Sequence, residues 1–286
     1  MKHHSNKQRN NQDYQLLALA AARCEGRTWA LLTSDTVKDT LGLSDLQTAR
    51  LFTRLLREQR IQRLQRGLYL IPAVPPPSKR WVPSPYEALW AYMNWLKATW
   101  QITGYAAFTR HGFSTQIVQR MTVLNDTLSG EQEVGGSRFV FVKLPSQKLG
   151  FTQKYSLTGG IEIVFSSRQR SLFDAVAEAK RFAVLPEAYG WFTSLKKNPD
   201  DVLVLKKICL AIGNRQTVAR IGFVLESLGF DASELLPKIG TAGTLVPLVP
   251  MTQNERRGTA NKRWRIIENV SLAKIFSSQE VPDEDE

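Results

Sequence analysis

Apolar positions first recur at helical spacing between Asp13 and Cys24, where Leu16, Leu17, Ala20 and Ala21 share one side and Gly26 ends the pattern. The apolar piece TWALLT (28–33) then predicts a brief strand. Two helix patterns follow in SDTVKDTLGLSDLQTARLFTRLLREQ. Ser34 or Asp35 caps the first, Val37 and Leu41 are its apolar positions, and Gly42 breaks it. Ser44 caps the second, and Gln47, three residues on, completes a capping box. On a helical wheel this second helix, 45–59, gathers Ala49, Phe52, Leu55 and Leu56 on one side, with Gln47, Arg50, Arg54 and Arg57 on the other. The second set forms a polar stripe about 15 Å long at 1.5 Å per residue. Glu58, at the far end, is the only acid near it. Solvated helices usually mix signs to gain i,i+4 pairs, and this one does not.

The periodicity then changes from helical to alternating. Ile61 and Leu64 bracket Gln62 and Arg63, Gln65-Arg66-Gly67 reads as a hairpin turn, and Leu68–Ile71 returns until Pro72 stops it. Helix, tight glycine turn, capped helix and hairpin occur in the order of a winged helix-turn-helix, whose second helix enters the major groove. Gln pairs with adenine edges and Arg with guanine, while further cations hold phosphates. The candidate DNA contacts are therefore Gln47, Thr48, Arg50, Arg54 and Arg57 on the helix, with Arg63 and Arg66 on the wing. An ordinary hairpin made soluble by arginine is the blander reading; the ordered elements and shared charge sign outweigh it.

Residues 73–85, AVPPPSKRWVPSP, read as a semi-rigid linker and a domain boundary. Ser84-Pro85-Tyr86-Glu87 starts a Trp-rich helix, with Ser as cap, Pro at the first helical position and Glu closing the box. Trp90, Trp95 and Trp100 point in different directions, as in a helix buried all round. A short helix at 104–112, strand-like segments at 115–125, 137–145 and 159–167, and a loop expected to be mobile at 126–136 come next. From 168 the pattern is helical through RQRSLFDAVAEAKRF, PEAYGWFTSL, DDVLVLKKICLAI and RQTVARIGFVLESLGF. The expected fold class is α+β. A flexible arm (1–12) and the winged helix-turn-helix (13–72) precede the linker; a larger mixed α/β domain (86–272) with a small sheet and several helices follows, and then an acidic tail (273–286).

Charge sharpens this picture. The chain of 286 residues carries a net +12, of which +8 lies in residues 1–80. Such a field attracts nucleic acid or anionic surfaces. Two distant cysteines, Cys24 and Cys209, fit a reducing cytosol and give no metal-ligand spacing. The apolar run from Leu16 is too short to span a membrane, and no secretory signal is read, so a cytoplasmic, nucleoid-associated protein with no membrane partner is expected.

Catalytic motifs are missing from the sequence: no Walker loop, HExxH or GxSxG. His111 reads as a structural helix-end histidine, and Asp174, after Arg168 and Arg170, as an ion partner. Glu162 on IEIVF lacks the second acid and lysine of a nuclease strand, so the metal-dependent enzyme reading is disfavoured. No cofactor and no metal are expected. Further basic clusters at Lys196, Lys197, Lys206 and Lys207, and at Arg256, Arg257, Lys262, Arg263 and Arg265, can touch nucleic acid or be solvated; the solvated reading is preferred.

The chain resembles the AbiEi-type antitoxins of type IV toxin–antitoxin systems. LLREQRIQRLQRGLYLIP is similar to their wing, and ITGYAAFTRHGF to the segment opening their second domain. SSRQRSLFDAV aligns through Arg170, Leu172 and Asp174, and NRQTVARIGFVLESLGF through Arg220, Gly222, Leu225 and Gly229. ANKRWRIIEN aligns through Asn261, Trp264 and Asn269. Ile221 and Ser171 depart from the usual Leu and Thr, and the Pro-rich linker is longer. The resemblance implies a non-catalytic protein whose winged helix represses its own promoter at inverted repeats in double-stranded DNA. It also implies a second domain that counteracts a nearby-encoded nucleotidyltransferase toxin without a stable complex. A stand-alone winged-helix regulator is the alternative.

Overall fold

The structure, a computed structural model, describes residues 2–78, 80–116, 119–250 and 258–278, with side chains from residue 11 onward. It is a mixed α/β fold with several sheets. In chain order the first elements are α1 (Lys2–Arg23), β1 (Trp29–Thr33), α2 (Ser34–Leu41), α3 (Asp45–Arg57), β2 (Gln62–Gln65), β3 (Leu68–Pro72) and α4 (Pro85–Trp95). Then come β4 (Trp100–Thr103), α5 (Tyr105–Arg110), β5 (Met121–Asn125), β6 (Gly130–Val134), β7 (Ser137–Lys143), β8 (Thr152–Leu157) and β9 (Ile161–Ser166). Helices α6 (Arg168–Ala177), α7 (Ala179–Phe182), α8 (Asp200–Ile212), α9 (Arg215–Ser227) and α10 (Leu236–Ile239) follow. The described chain closes with β10 (Val246–Pro247), β11 (Thr259–Asn261), β12 (Ile266–Glu268) and α11 (Leu272–Ser277). Strands pair in three sheets, ordered β1-β3-β2, β10-β12-β11 and β6-β7-β5-β4-β9-β8. No described helix is long and apolar enough to cross a membrane.

Contacts divide the chain into two compact units. The first holds Met1–Trp100, Asn125–Lys143 and Lys154–Val164, and the second the remaining segments. The expected boundary at 73–85 is therefore corrected, because that stretch is tied into the first unit. Trp81 N donates to Gln59 O at 2.7 Å, and Gln62 Nε2 donates to Trp81 O at 3.0 Å. Beyond it, Glu87 on α4 accepts from Trp29 Nε1 at 2.9 Å.

Within the first unit, α1, α2 and α3 pack on the β1-β3-β2 sheet. Leu16, Leu19 and Ala20 of α1, Val37 of α2 and Leu51, Phe52 and Leu55 of α3 close one core with Leu32, Ile61, Tyr69 and Ile71. The Phe52 and Tyr69 rings stack at 4.0 Å, pinning α3 to β3. Thr33 rather than Ser34 or Asp35 caps α2, its Oγ1 accepting from Thr36 N at 3.1 Å. Ser44 and Gln47 form the expected capping box on α3, and Ser84 and Glu87 form one on α4. Helix α1 starts at Lys2, so residues 2–12 are helical rather than an arm; the stretch contains no Gly or Pro to break it. The expected loop 126–136 contains β6, paired antiparallel with β7 through a two-residue Gly135-Gly136 turn. Both glycines have positive φ, at 60° and 83°, which is why the hairpin closes there.

Trp95 stands half-exposed, against the expectation of core, whereas Trp100 is buried on β4. In the second unit, PEAYGWFTSL lies in a run of tighter 3-10 turns over Glu187–Lys197 rather than an α-helix. Its core joins α6, α8 and α9 through Leu172, Val176, Leu205, Ile208, Val218 and Leu225. Gly222 on α9 lies against Trp264, which is fully buried and donates Nε1 to Glu226 at 2.7 Å. Asp174 is the counter-ion expected from sequence: Arg170 Nε meets its Oδ1 at 2.7 Å, and both side chains are buried. Thr103 and Ser166 hydroxyls donate to its Oδ2 at 2.6 and 3.0 Å. Residues 273–277, expected to belong to the acidic tail, instead continue from the buried Leu272 as α11; the acidic stretch 280–286 lies outside the described residues.

Candidate nucleic-acid interface

Helix α3 is amphipathic because Thr48, Leu51, Phe52 and Leu55 recur at i, i+3, i+4 and i+7 and are buried. This stripe is rotated from the one expected. Ala49 is exposed, and Thr48 is buried with its hydroxyl donating to Ser44 O at 3.0 Å, so Thr48 is withdrawn as a contact. The open face instead carries Leu46, Ala49, Arg50, Thr53 and Arg57. It runs about 16 Å at 1.5 Å per residue. Leu46, 60% exposed, is the large apolar side chain on this face and was missed; an apolar residue two after a cap is the signal that could have found it. Gln47 stays exposed, but its Oε1 accepts from Ser44 N at 2.8 Å, so only the amide NH2 is left to read a base.

Arg54 is corrected from DNA contact to structural clamp. Its Nη1 donates to Asp13 Oδ2 at 3.1 Å and its Nη2 to Oδ1, while Arg60 Nη1 reaches the same Oδ2 at 2.5 Å. Glu58 lies 3.7 Å from Arg54 and 3.6 Å from Arg60. The cationic pair is thus neutralised and ties α3 to α1. Burial alone would raise the Asp13 carboxyl, but the hydrogen bonds from Arg54 and Arg60 outweigh it and hold it below its ordinary value. The stabilisation is complete above the unfolded value of 3.8 and is lost as pH falls through the lower folded one. Asp13→Asn should cost about 1.5–3 kcal/mol near neutrality. In urea melts the gap between wild type and variant should narrow as pH falls below the ordinary carboxylate range; a gap constant with pH would show that the charge does not matter.

The β2–β3 hairpin presents Arg63 and Arg66, both exposed, beside the open face of α3. Its register is Gln62↔Leu70, Arg63↔Tyr69 and Gln65↔Leu68, with a bulge at Leu64. The turn is tethered, since Ser34 N donates to Gly67 O at 3.0 Å. On the outer side, Arg63 O accepts from Gly135 N at 3.2 Å, and a Cβ on Gly135 would lie 2.7 Å from that of Ala88. A groove of about 320 Å3 lies between α3 and the hairpin, lined by Ala49, Phe52, Thr53, Leu56, Arg63 and Arg66, with Lys38, Asp35 and Asp45 at α2 and the start of α3. Lys38 and Asp45 pair at 2.8 Å. The surface is thus less uniformly cationic than the stripe alone suggested: Asp35 and Asp45 belong to it, and the net charge rests on Arg50, Arg57, Arg63 and Arg66.

The other basic clusters are partly engaged within their own unit. Lys206 pairs with Glu234 at 2.8 Å, Arg263 Nε with Glu226 at 2.9 Å, and Arg265 bonds Thr241 O and Gly243 O. Lys196, Lys197, Lys207 and Lys262 are exposed, while Arg256 and Arg257 lie outside the described residues. Glu162 pairs with Lys154 at 2.9 Å. His111 Nε2 meets Ser166 O at 2.9 Å, and burial pulls its pKa below the ordinary value. Among the described residues no three His, Cys, Asp or Glu side chains gather where they could hold a metal ion.

No protein-family profile and no curated protein matches the chain. Among solved structures it is similar to the crystal structure of the RV2827C protein from Mycobacterium tuberculosis. The TM-score is 0.56 at 14% identity, over 94% of both chains. At that identity the likeness concerns the fold alone.

Proposed function

We propose that the chain is a sequence-specific DNA-binding repressor whose first six elements act as a winged helix-turn-helix. The observation that carries this reading is the groove between α3 and the neighbouring hairpin, lined by Ala49 and Thr53 of α3 and by Arg63 and Arg66 of the hairpin, with Arg50 and Arg57 exposed on the same helix. Helix α3 is the recognition helix, and the hairpin is the wing. Arg50, early on α3, faces base edges with Leu46 and the Gln47 amide; Arg57, Arg63 and Arg66 hold phosphates. The resemblance to AbiEi-type antitoxins supports extending the reading. On that basis the protein represses its own promoter at inverted repeats and counteracts a nearby-encoded nucleotidyltransferase toxin through its later residues.

The test uses the full chain, because a fragment ending at residue 80 would lose the Gly135 contact to Arg63 and the Glu87 bond to Trp29. With three arginines on phosphates, log K against log salt should fall with a slope of about −2.7. On a duplex selected from a random library, Arg50→Ala should cost about 1–3 kcal/mol and relax preference at one position. Arg66→Ala should weaken selected and scrambled duplexes alike and flatten the slope by about one unit. Anisotropy titrations across a salt series distinguish the two. Salt-independent binding, or no binding at low salt, would remove the proposal.

A further inference from the structure

Arg220 lies on α9 and is 7% exposed. Its Nε donates to Pro247 O at 3.0 Å, and this is its only hydrogen bond among the described residues. No carboxylate among the described residues pairs with it. A buried guanidinium is normally matched by a carboxylate, as Arg170 is by Asp174 in the same unit, because an unmatched charge in a low-dielectric interior is costly. Burial pulls its pKa below the ordinary value, and the neighbouring Tyr189 offsets this only in part. Its terminal nitrogens, Nη1 and Nη2, have no protein partner, yet they are not among the polar atoms sealed from solvent.

Arg220 lines a groove of about 470 Å3. Gln216 stands one turn earlier on the same face of α9, and Lys180 and Thr244 line the groove from two other chain segments. Glu178 also lines it, but its carboxylate is taken by Arg181 at 3.1 Å. Apolar walls come from Val176 and Leu245 among others. Apolar walls with a few convergent polar groups are the usual form of a small-molecule site.

We propose that this groove binds a small organic phosphate, with its phosphate group on the Nη1–Nη2 edge of Arg220. Lys180 supplies the second positive charge that a dianion needs, and Gln216 and Thr244 donate from other directions. Donors from three chain segments suit a tetrahedral anion better than a planar carboxylate. The apolar walls take the organic part. A duplex backbone is too stiff and broad to bring a phosphate onto a guanidinium this deeply set. The site is independent of the DNA-binding reading and stands or falls separately.

Calorimetric titration of the full chain with inorganic phosphate, adenosine monophosphate and acetate at matched ionic strength tests it. Saturable binding is expected for the two phosphates, tighter for the nucleotide, and none for acetate. Lys180→Glu, at an exposed position, should weaken the nucleotide by at least about tenfold. Arg220→Met should abolish binding without lowering the melting temperature, since it removes an unmatched buried charge. If that variant fails to fold, Arg220 is a packing residue and Lys180→Glu decides alone. No saturable phosphate binding, equal binding of acetate, an unchanged affinity in Lys180→Glu, or displacement of the nucleotide by a short duplex would each overturn the proposal.

Discussion

Gly222→Ala is expected to destabilise the chain by about 3 kcal/mol, the upper end of the usual cost of forcing extra atoms into a packed core. A Cβ at this position would overlap the six-membered ring of Trp264, which is fully buried. The ring cannot retreat cheaply, because its Nε1 is held by Glu226 at 2.7 Å and its backbone N by Asn261 at 2.9 Å. Interiors are packed too tightly to absorb a methyl group beside such a ring. Urea unfolding should show the loss, and tryptophan fluorescence should shift to the red as Trp264 meets water. A variant as stable as wild type would mean that α9 and Trp264 are not packed face to face.

Asp174→Ala carries the second large effect, about 3–5 kcal/mol, because it leaves the buried Arg170 guanidinium without its counter-ion. Three donors lose their acceptor at once: Arg170, Thr103 and Ser166. The pair need not be net favourable, only matched. The double variant Arg170→Met with Asp174→Leu should therefore regain most of the lost stability. A double-mutant cycle of Arg170→Met, Asp174→Leu and their combination, by chemical denaturation, measures this, and additive losses would show that the two side chains do not act as a unit.

What was legible in the sequence was mostly local. Capping boxes at Ser44 and Ser84 are written within four residues, and both stand as read. The order from α1 to β3 follows from periodicity and turn glycines, and so does the helical run from Arg168. Strands β6 and β8 escaped because their residues, GEQEV and TQKYSL, are largely exposed and show no apolar alternation. Strand β4 escaped because it is buried throughout and only four residues long.

Two of the residues expected at a DNA interface are placed elsewhere by the structure. Thr48 falls on the buried stripe, since an i, i+3, i+4, i+7 pattern hides one polar residue among three apolar ones. Arg54 belongs to a clamp whose other half, Asp13, lies 41 positions earlier, and no local pattern connects them. Asp45 and Lys38 likewise meet across a turn that the wheel does not cover. Residues quoted for the family resemblance, Asp174, Gly222 and Trp264, prove to be packing and pairing centres of the second unit. A sequence motif can record how a core closes without naming what the protein binds.

The hydrogen bond from Gly135 to Arg63 has a bearing on self-association. A strand with an open outer edge can recruit an identical strand from another molecule and seed growing fibrils. In β2 that edge is occupied by the Gly135-Gly136 turn, with Leu64 packed beneath it. A second copy approaching this edge therefore meets the Gly135-Gly136 turn rather than an open row of unpaired backbone groups.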